Sequence, residues 1–182
     1  MKKYIIIIII SFFLVSNVSA QSFGLKGGTA LTNFIGSDSE GSELSPGFVI
    51  GAFMKFGESN IEFMPEFLFH QKGAKSDSVG ASYVLNYIDL SANGLFHVND
   101  ELALSMGPYL GYIVSATVDS KSISDWDIFN RVEFGANVGA IYNVNDLLHI
   151  DLRYGFGFTD VIELNSLRNS SIQIGIGYVF GY

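Results

Sequence analysis

The chain has 182 residues, a formal net charge of −8, no cysteine, and 15% charged residues against 48% hydrophobic ones. No cysteine means no disulfide framework, no lipid-modified N-terminal cysteine and no thiol chemistry. An acidic chain without a basic tract excludes nucleic acid as a partner, and a charged fraction well below the roughly 25% of soluble domains points to apolar surroundings.

Lys2 and Lys3 precede the apolar run Ile5–Ile10, which continues through Phe12–Val15 and ends at the small residues Ser19 and Ala20. A positive end, a short apolar core and a small-residue site predict a cleaved signal peptide over residues 1–20. The alternative, a single membrane anchor, requires about 20 apolar residues, more than this run supplies. Cleavage leaves one domain, residues 21–182, with a net charge of −10. Its mean hydropathy is raised without any later stretch long enough for a transmembrane helix. Two architectures fit such an exported chain: a soluble secreted barrel or sandwich, or a membrane barrel.

After residue 21 the hydrophobic period is two. Eight alternating runs follow in order, marked by Phe23–Leu31, Phe48–Phe56, Ile61–Phe69, Val84–Phe96, Leu102–Val114, Val132–Tyr142, Leu148–Phe158 and Ile172–Phe180. Each is long enough for a tilted bilayer crossing of about 9–11 residues. Gly57–Asn60, Asn99–Glu101 and Asn143–Asp146 are tight turns, two of them copies of Val-Asn-Asp. The connections Gly36–Pro46, Gly73–Ala81, Thr117–Asp127 and Asp160–Ser170 are longer and polar. Short periplasmic turns alternating with long outer loops predict an all-β, eight-stranded antiparallel up-and-down transmembrane β-barrel of the outer-membrane type.

Side-chain volume orients the faces. The bulky apolar set would not fit inside an eight-stranded barrel, whose interior is only wide enough to be filled by side chains. That set therefore faces lipid, and the small and polar set faces the lumen. The lumenal charges are Lys26, Lys55, Arg131 and Arg153 against Glu62, Glu66, Asp89, Glu133 and Asp151. Enclosed charges are costly unless paired, so these residues predict a polar network that plugs the lumen; the alternative is an ion pathway. The loops carry nine acids, among them Asp38, Glu40, Glu43 and Asp160, against Lys72, Lys75, Lys121 and Arg168. Such a surface suits a cation or a basic partner, or is simply solvated. Tyr178, Phe180 and Tyr182 place an aromatic at every second position to the chain end, as in an interfacial girdle. They also look like the terminal signal read by the outer-membrane barrel-assembly machinery.

The residues suited to chemistry are few. His70 lies near the outer end of the third run, His97 and His149 at the periplasmic ends of the fourth and seventh, so no shared metal site is expected and the last two read as solvated rim histidines. His70 with Ser76 or Ser78 is the only candidate catalytic pair, and Asp77 the only acid near it; no catalytic residue, metal or cofactor is assigned. Gly155-Phe156-Gly157 and Gly175-Ile176-Gly177 lack the helix a nucleotide loop requires. Trp126, the only tryptophan, suits a membrane-interface or loop-packing position.

Several segments resemble a known family. Gly24-Leu25-Lys26-Gly27-Gly28, Pro65-Glu66-Phe67-Leu68-Phe69-His70-Gln71-Lys72-Gly73 and Leu85-Asn86-Tyr87-Ile88-Asp89-Leu90 are similar, in order, to the PorT-like outer-membrane β-barrel proteins of Bacteroidetes, which are Gram-negative. So are Gly107-Pro108-Tyr109-Leu110-Gly111, Asp151-Leu152-Arg153-Tyr154-Gly155 and Gly175-Ile176-Gly177-Tyr178-Val179-Phe180. Ser91 stands where the family usually has Pro nearby, and Phe67-Leu68-Phe69 where it more often has Leu-Leu-Tyr. The resemblance implies outer-membrane location and a link, by family name, to a specialised secretion system. Three readings follow: a monomeric, non-enzymatic barrel in outer-membrane lipid that supports the envelope or presents its loops to an extracellular or secretion-system partner; a porin-like pore for small solutes; and a soluble ligand-binding barrel.

Overall fold

The computed structural model describes residues 22–57, 60–76, 81–119, 121–122, 129–162 and 166–181. The proposed leader, Ser78, Asp77, Trp126 and Tyr182 lie outside them. The strands are β1 (Ser22–Ile35), β2 (Ser42–Glu43), β3 (Ser45–Lys55), β4 (Ile61–Ser76), β5 (Ala81–His97), β6 (Leu102–Val118), β7 (Lys121–Ser122), β8 (Val132–Asn143), β9 (Leu148–Gly157) and β10 (Arg168–Gly181). Leaving aside the two-residue β2 and β7, eight strands pair antiparallel with their neighbours, and β1 closes the sheet on β10. Closure satisfies every edge of the wall, the requirement for strands in hydrocarbon.

The expected alternation decides what faces where. On β5, Leu90 is 51% exposed while Leu85 and Leu95 are fully buried, so chemically alike side chains are sorted by phase alone. The outward face carries Leu25, Ile50, Phe67, Leu104, Val138, Leu152, Ile174 and their like. This apolar band meets polar groups at its outer limit, where Gln71, Asn86 and Ser115 form an outward hydrogen-bonded ladder across β4, β5 and β6. β6 changes phase there, since Asn86 pairs with Ser115 but Tyr87 with Ile113. The bulge lets Ile113 and Ala116 both point inward.

The strands outrun the predicted loop boundaries. Gly73–Ser76 and Thr117–Val118 belong to β4 and β6, which makes β4, β5 and β6 16, 17 and 17 residues long against 12 and 10 for β8 and β9. The short turns do repeat one geometry. Asn99 Oδ1 accepts from the amides of Glu101 and Leu102 at 3.0 and 2.7 Å, and Asn145 Oδ1 from those of Leu147 and Leu148 at 2.9 Å each. The remaining turn uses Gly57 at φ 123°, a conformation that L side chains rarely adopt.

Candidate functional site

The interior is layered along the barrel axis. At the end with the short turns, Phe53, Met64, Leu95, Ala103, Ile141 and Val179 form an apolar plug. His149 lies against it, its ring 5.2 Å from that of Phe53 in an edge-on contact. His149 is 1% exposed, so the expected solvated rim histidine is instead buried. Its ring fills the space above Gly177, where a Cβ would come within 2.2 Å of Nε2. The lumenal glycine thus makes room for a side chain from the neighbouring strand.

Above the plug lies an ion cluster drawn from β1, β4 and β9. Lys26 Nζ donates to Glu66 Oε1 and Asp151 Oδ2, both at 2.9 Å. Arg153 donates through Nη1 to Glu66 Oε2 at 2.5 Å and through Nη2 to Asp151 Oδ2 at 2.7 Å. Ser91 Oγ and Asn93 Nδ2 complete the shell of Glu66 at 2.6 and 2.9 Å. Two cations meet two carboxylates, all buried, and the arrangement satisfies the condition under which enclosed charge is tolerated.

A second cluster follows toward the outer end. Lys72 Nζ lies 3.1 Å from both Asp89 Oδ2 and Glu133 Oε1, between the rings of Tyr87 and Tyr109 at 4.4 and 4.5 Å. The Tyr109 hydroxyl donates to Glu133. Asn169 Nδ2 donates to Glu133 Oε2 at 2.5 Å and to the Tyr87 hydroxyl at 2.9 Å. His70 Nδ1 is 3.0 Å from Asp89 Oδ2. Lys72 was expected in a loop and is instead a buried lumenal cation. The signal was its phase, which continues that of Glu62 and Glu66 along β4. His70 likewise points into the barrel rather than toward the loop. Ser76 ends the same strand six residues on, about 20 Å away along an extended chain, and Ser78 lies outside the described residues.

The outer end is closed by a second apolar plug of Phe34, Ala74, Leu85, Tyr87, Ile113, Ala116, Phe129 and Val161. Phe129 and Val161 come from the long connections, which are tied together by a bridge between Phe129 and Ile162 and by the Asn130 amide donating to the Val161 carbonyl at 3.0 Å.

Of the nine charges predicted to face the lumen, Lys26, Glu66, Asp151 and Arg153 meet in the first cluster and Asp89 and Glu133 in the second. Lys55 and Glu62 instead stand at the mouth with the short turns, where Glu62 Oε2 is 3.1 Å from His97 Nε2. Arg131 corrects the prediction. It precedes the first residue of β8, is exposed, and places its guanidinium 5.0 Å from the outward ring of Tyr112. Strand phase does not bind a residue that lies outside the strand. Tyr178 and Phe180 face outward in edge-on contact at 5.1 Å, and Phe180 stacks on Phe23 at 5.5 Å. Among the described residues no three His, Cys, Asp or Glu side chains gather as metal ligands.

The family model for the outer membrane protein beta-barrel domain matches residues 5–180. Among solved structures, Neisserial surface protein A is similar at 15% identity and a TM-score of 0.62, over 87% of this chain and 97% of that one. Ail, the attachment invasion locus protein of Yersinia pestis, solved with the heparin analogue sucrose octasulfate, is similar at 18% identity and a TM-score of 0.55, over 88% and 99%. At these identities the likeness is one of fold. No curated protein matches the chain. The family and the outward apolar band set aside a soluble barrel: the chain belongs to the outer membrane protein beta-barrel domain family and resides in the outer membrane as a closed eight-stranded antiparallel barrel.

Proposed function

We propose that this barrel is a non-conducting, non-enzymatic outer-membrane protein that acts through its outer loops, supporting the envelope or engaging an extracellular or secretion-system protein. The observation that carries the reading is the ion cluster of Lys26, Glu66, Asp151 and Arg153, which crosses the lumen with its charges mutually neutralised. An ion entering from either mouth would have to displace these contacts as well as an apolar plug. The commitment of His70 to Asp89 inside the barrel, six residues along β4 from Ser76, supports the non-enzymatic part.

The same reading takes residues 1–20 as a cleaved leader, the PorT-like Bacteroidetes barrels as the nearer kin, Tyr178, Phe180 and Tyr182 as the assembly-machinery signal, and a monomer as the working form. Planar-bilayer recording tests the closed lumen. The native protein is expected to give no steady openings. Steady open steps that disappear when the partners of Lys26 or Arg153 are neutralised establish the rival reading, a small-solute pore. Photo-crosslinkers placed in the four long loops of intact cells then identify what the loops touch; crosslinks to lipid alone leave no support for a protein partner.

A further inference from the structure

The lower ion cluster leaves part of its own shell unmet. Arg153 spends Nη1 and Nη2 on Glu66 and Asp151, while its Nε, which can only donate, has no hydrogen-bond partner among the described residues. Asn93 gives its Nδ2 to Glu66 Oε2 and Ser91 Oγ, and its Oδ1 accepts from nothing there. Ser105 Oγ is likewise without a partner. Arg153, Asn93 and Ser105 are 2%, 0% and 1% exposed, so bulk solvent does not reach them. They also belong to one place. Arg153 Nη1 and Asn93 Nδ2 bond the same oxygen, Glu66 Oε2, at 2.5 and 2.9 Å. Ser105 of β6 pairs with Gly139 of β8, and Gly139 pairs with Arg153 of β9. Between Ser105 and Arg153 the wall therefore carries no side chain. On its other side Ser105 pairs with Leu95 of β5, one inward step from Asn93.

A buried polar atom without a hydrogen bond is costly, and protein interiors answer such atoms with protein groups or with ordered water. The chemistry of these three decides between occupants. One atom can only donate, one can only accept, and the hydroxyl does either. A cation would stand against the guanidinium of Arg153. An anion would stand against the Glu66 carboxylate and the Asn93 carbonyl oxygen. A small neutral molecule that both donates and accepts suits all three. We infer that the lumen binds a water molecule beside the ion cluster, accepting from Arg153 Nε and donating to Asn93 Oδ1 and Ser105 Oγ. The water ties the cluster to β6, which supplies no direct hydrogen bond to it among the described residues. The site rests on these three side chains, and it stands whether or not the barrel conducts.

The test is NMR of the folded barrel in lipid nanodiscs, labelled with nitrogen-15 at arginine. Arg131, Arg153 and Arg168 are the only arginines of the chain, so Arg131→Lys and Arg168→Lys assign the Arg153 Nε–H signal by elimination. That proton is expected to show a cross-peak at the water frequency, of opposite sign in laboratory-frame and rotating-frame experiments. Opposite signs mark contact with a bound water; equal signs mark proton exchange and overturn the proposal, as does a visible Arg153 signal with no cross-peak. Ser105→Ala should keep the cross-peak, because Arg153 and Asn93 still hold the water. Its loss there shows relay through the serine hydroxyl and overturns the proposal. Ser105→Val, whose extra methyl takes the space, should abolish the cross-peak while the heat-dependent gel shift of a closed barrel remains. Persistence in that folded variant overturns the proposal; if the variant does not fold, the native and Ser105→Ala spectra decide. The native cross-peak should be unchanged when potassium chloride is replaced by sodium sulfate, and a dependence on either ion shows an ionic occupant instead. None of these outcomes bears on the loop reading, which conductance and crosslinking test separately.

Discussion

The two charge clusters inside the barrel solve the same problem differently. The lower one, of Lys26, Arg153, Glu66 and Asp151, sets two cations against two carboxylates in direct contact. The upper one has a single ammonium, Lys72, shared between Asp89 and Glu133, and the remaining capacity of those carboxylates is met by His70, Tyr109 and Asn169. Counter-charge stabilises the first and neutral donors much of the second. A charge-assisted hydrogen bond is worth about 1.5–3 kcal/mol, whereas leaving a buried ion unpaired costs about 3–5. The upper cluster, with one ammonium for two carboxylates, is therefore the more brittle both to loss of its cation and to loss of neutral donors, whereas the lower one keeps a second cation when either is removed.

Equilibrium urea unfolding in lipid vesicles measures that contrast. Lys72→Met should have the largest effect, about 3–5 kcal/mol, because Asp89 and Glu133 are left without the ammonium they share. Arg153→Met should cost somewhat less, about 3 kcal/mol, since Lys26 still bonds both Glu66 and Asp151, and Ser91 and Asn93 remain on Glu66. If it costs more than Lys72→Met, the division between ionic and neutral compensation is mistaken. Tyr109→Phe should cost about 2 kcal/mol by removing a donor to an ionised group. Ser91→Ala, with Asn93, Lys26 and Arg153 still on Glu66, should cost about 1 kcal/mol; a loss as large as that of Tyr109→Phe would remove the asymmetry between the clusters.

Much of the fold was legible because a strand offers only two phases and a narrow lumen cannot take the bulky one. The eight runs, the repeated Asn turns at Asn99 and Asn145, and the inward assignment of Lys26, Glu66, Asp151 and Arg153 follow from this alone. Whether they touch did not, because contact across a lumen depends on register and strand tilt. Lys72 escaped because Gln71-Lys72-Gly73 reads as the start of a polar loop, although β4 continues to Ser76 in unbroken phase. The interior aromatics Phe53, Tyr87 and Tyr109 were hidden by their type, since bulky residues were assigned to lipid. Their odd positions on strands with even-numbered outward residues carried the correct answer. Arg131 shows the converse error, phase extended beyond the strand that enforces it.

The lower cluster joins residues far apart in the chain, 87 positions between Glu66 and Arg153 and 125 between Lys26 and Asp151. A sheet that lacks β9 can therefore form only the Lys26–Glu66 pair of this cluster. Until then Glu66 has Lys26 as its only cation within the cluster, and the ordering cost of long-range pairing is met without most of its reward. Closure by the last two strands thus gains the register of β1 on β10 and the contacts that join the two ion pairs in one event. A partly built wall leaves Lys26 and Glu66 without their Asp151 and Arg153 contacts on the face that must become the enclosed inside. Completion of this barrel is for that reason close to all-or-none.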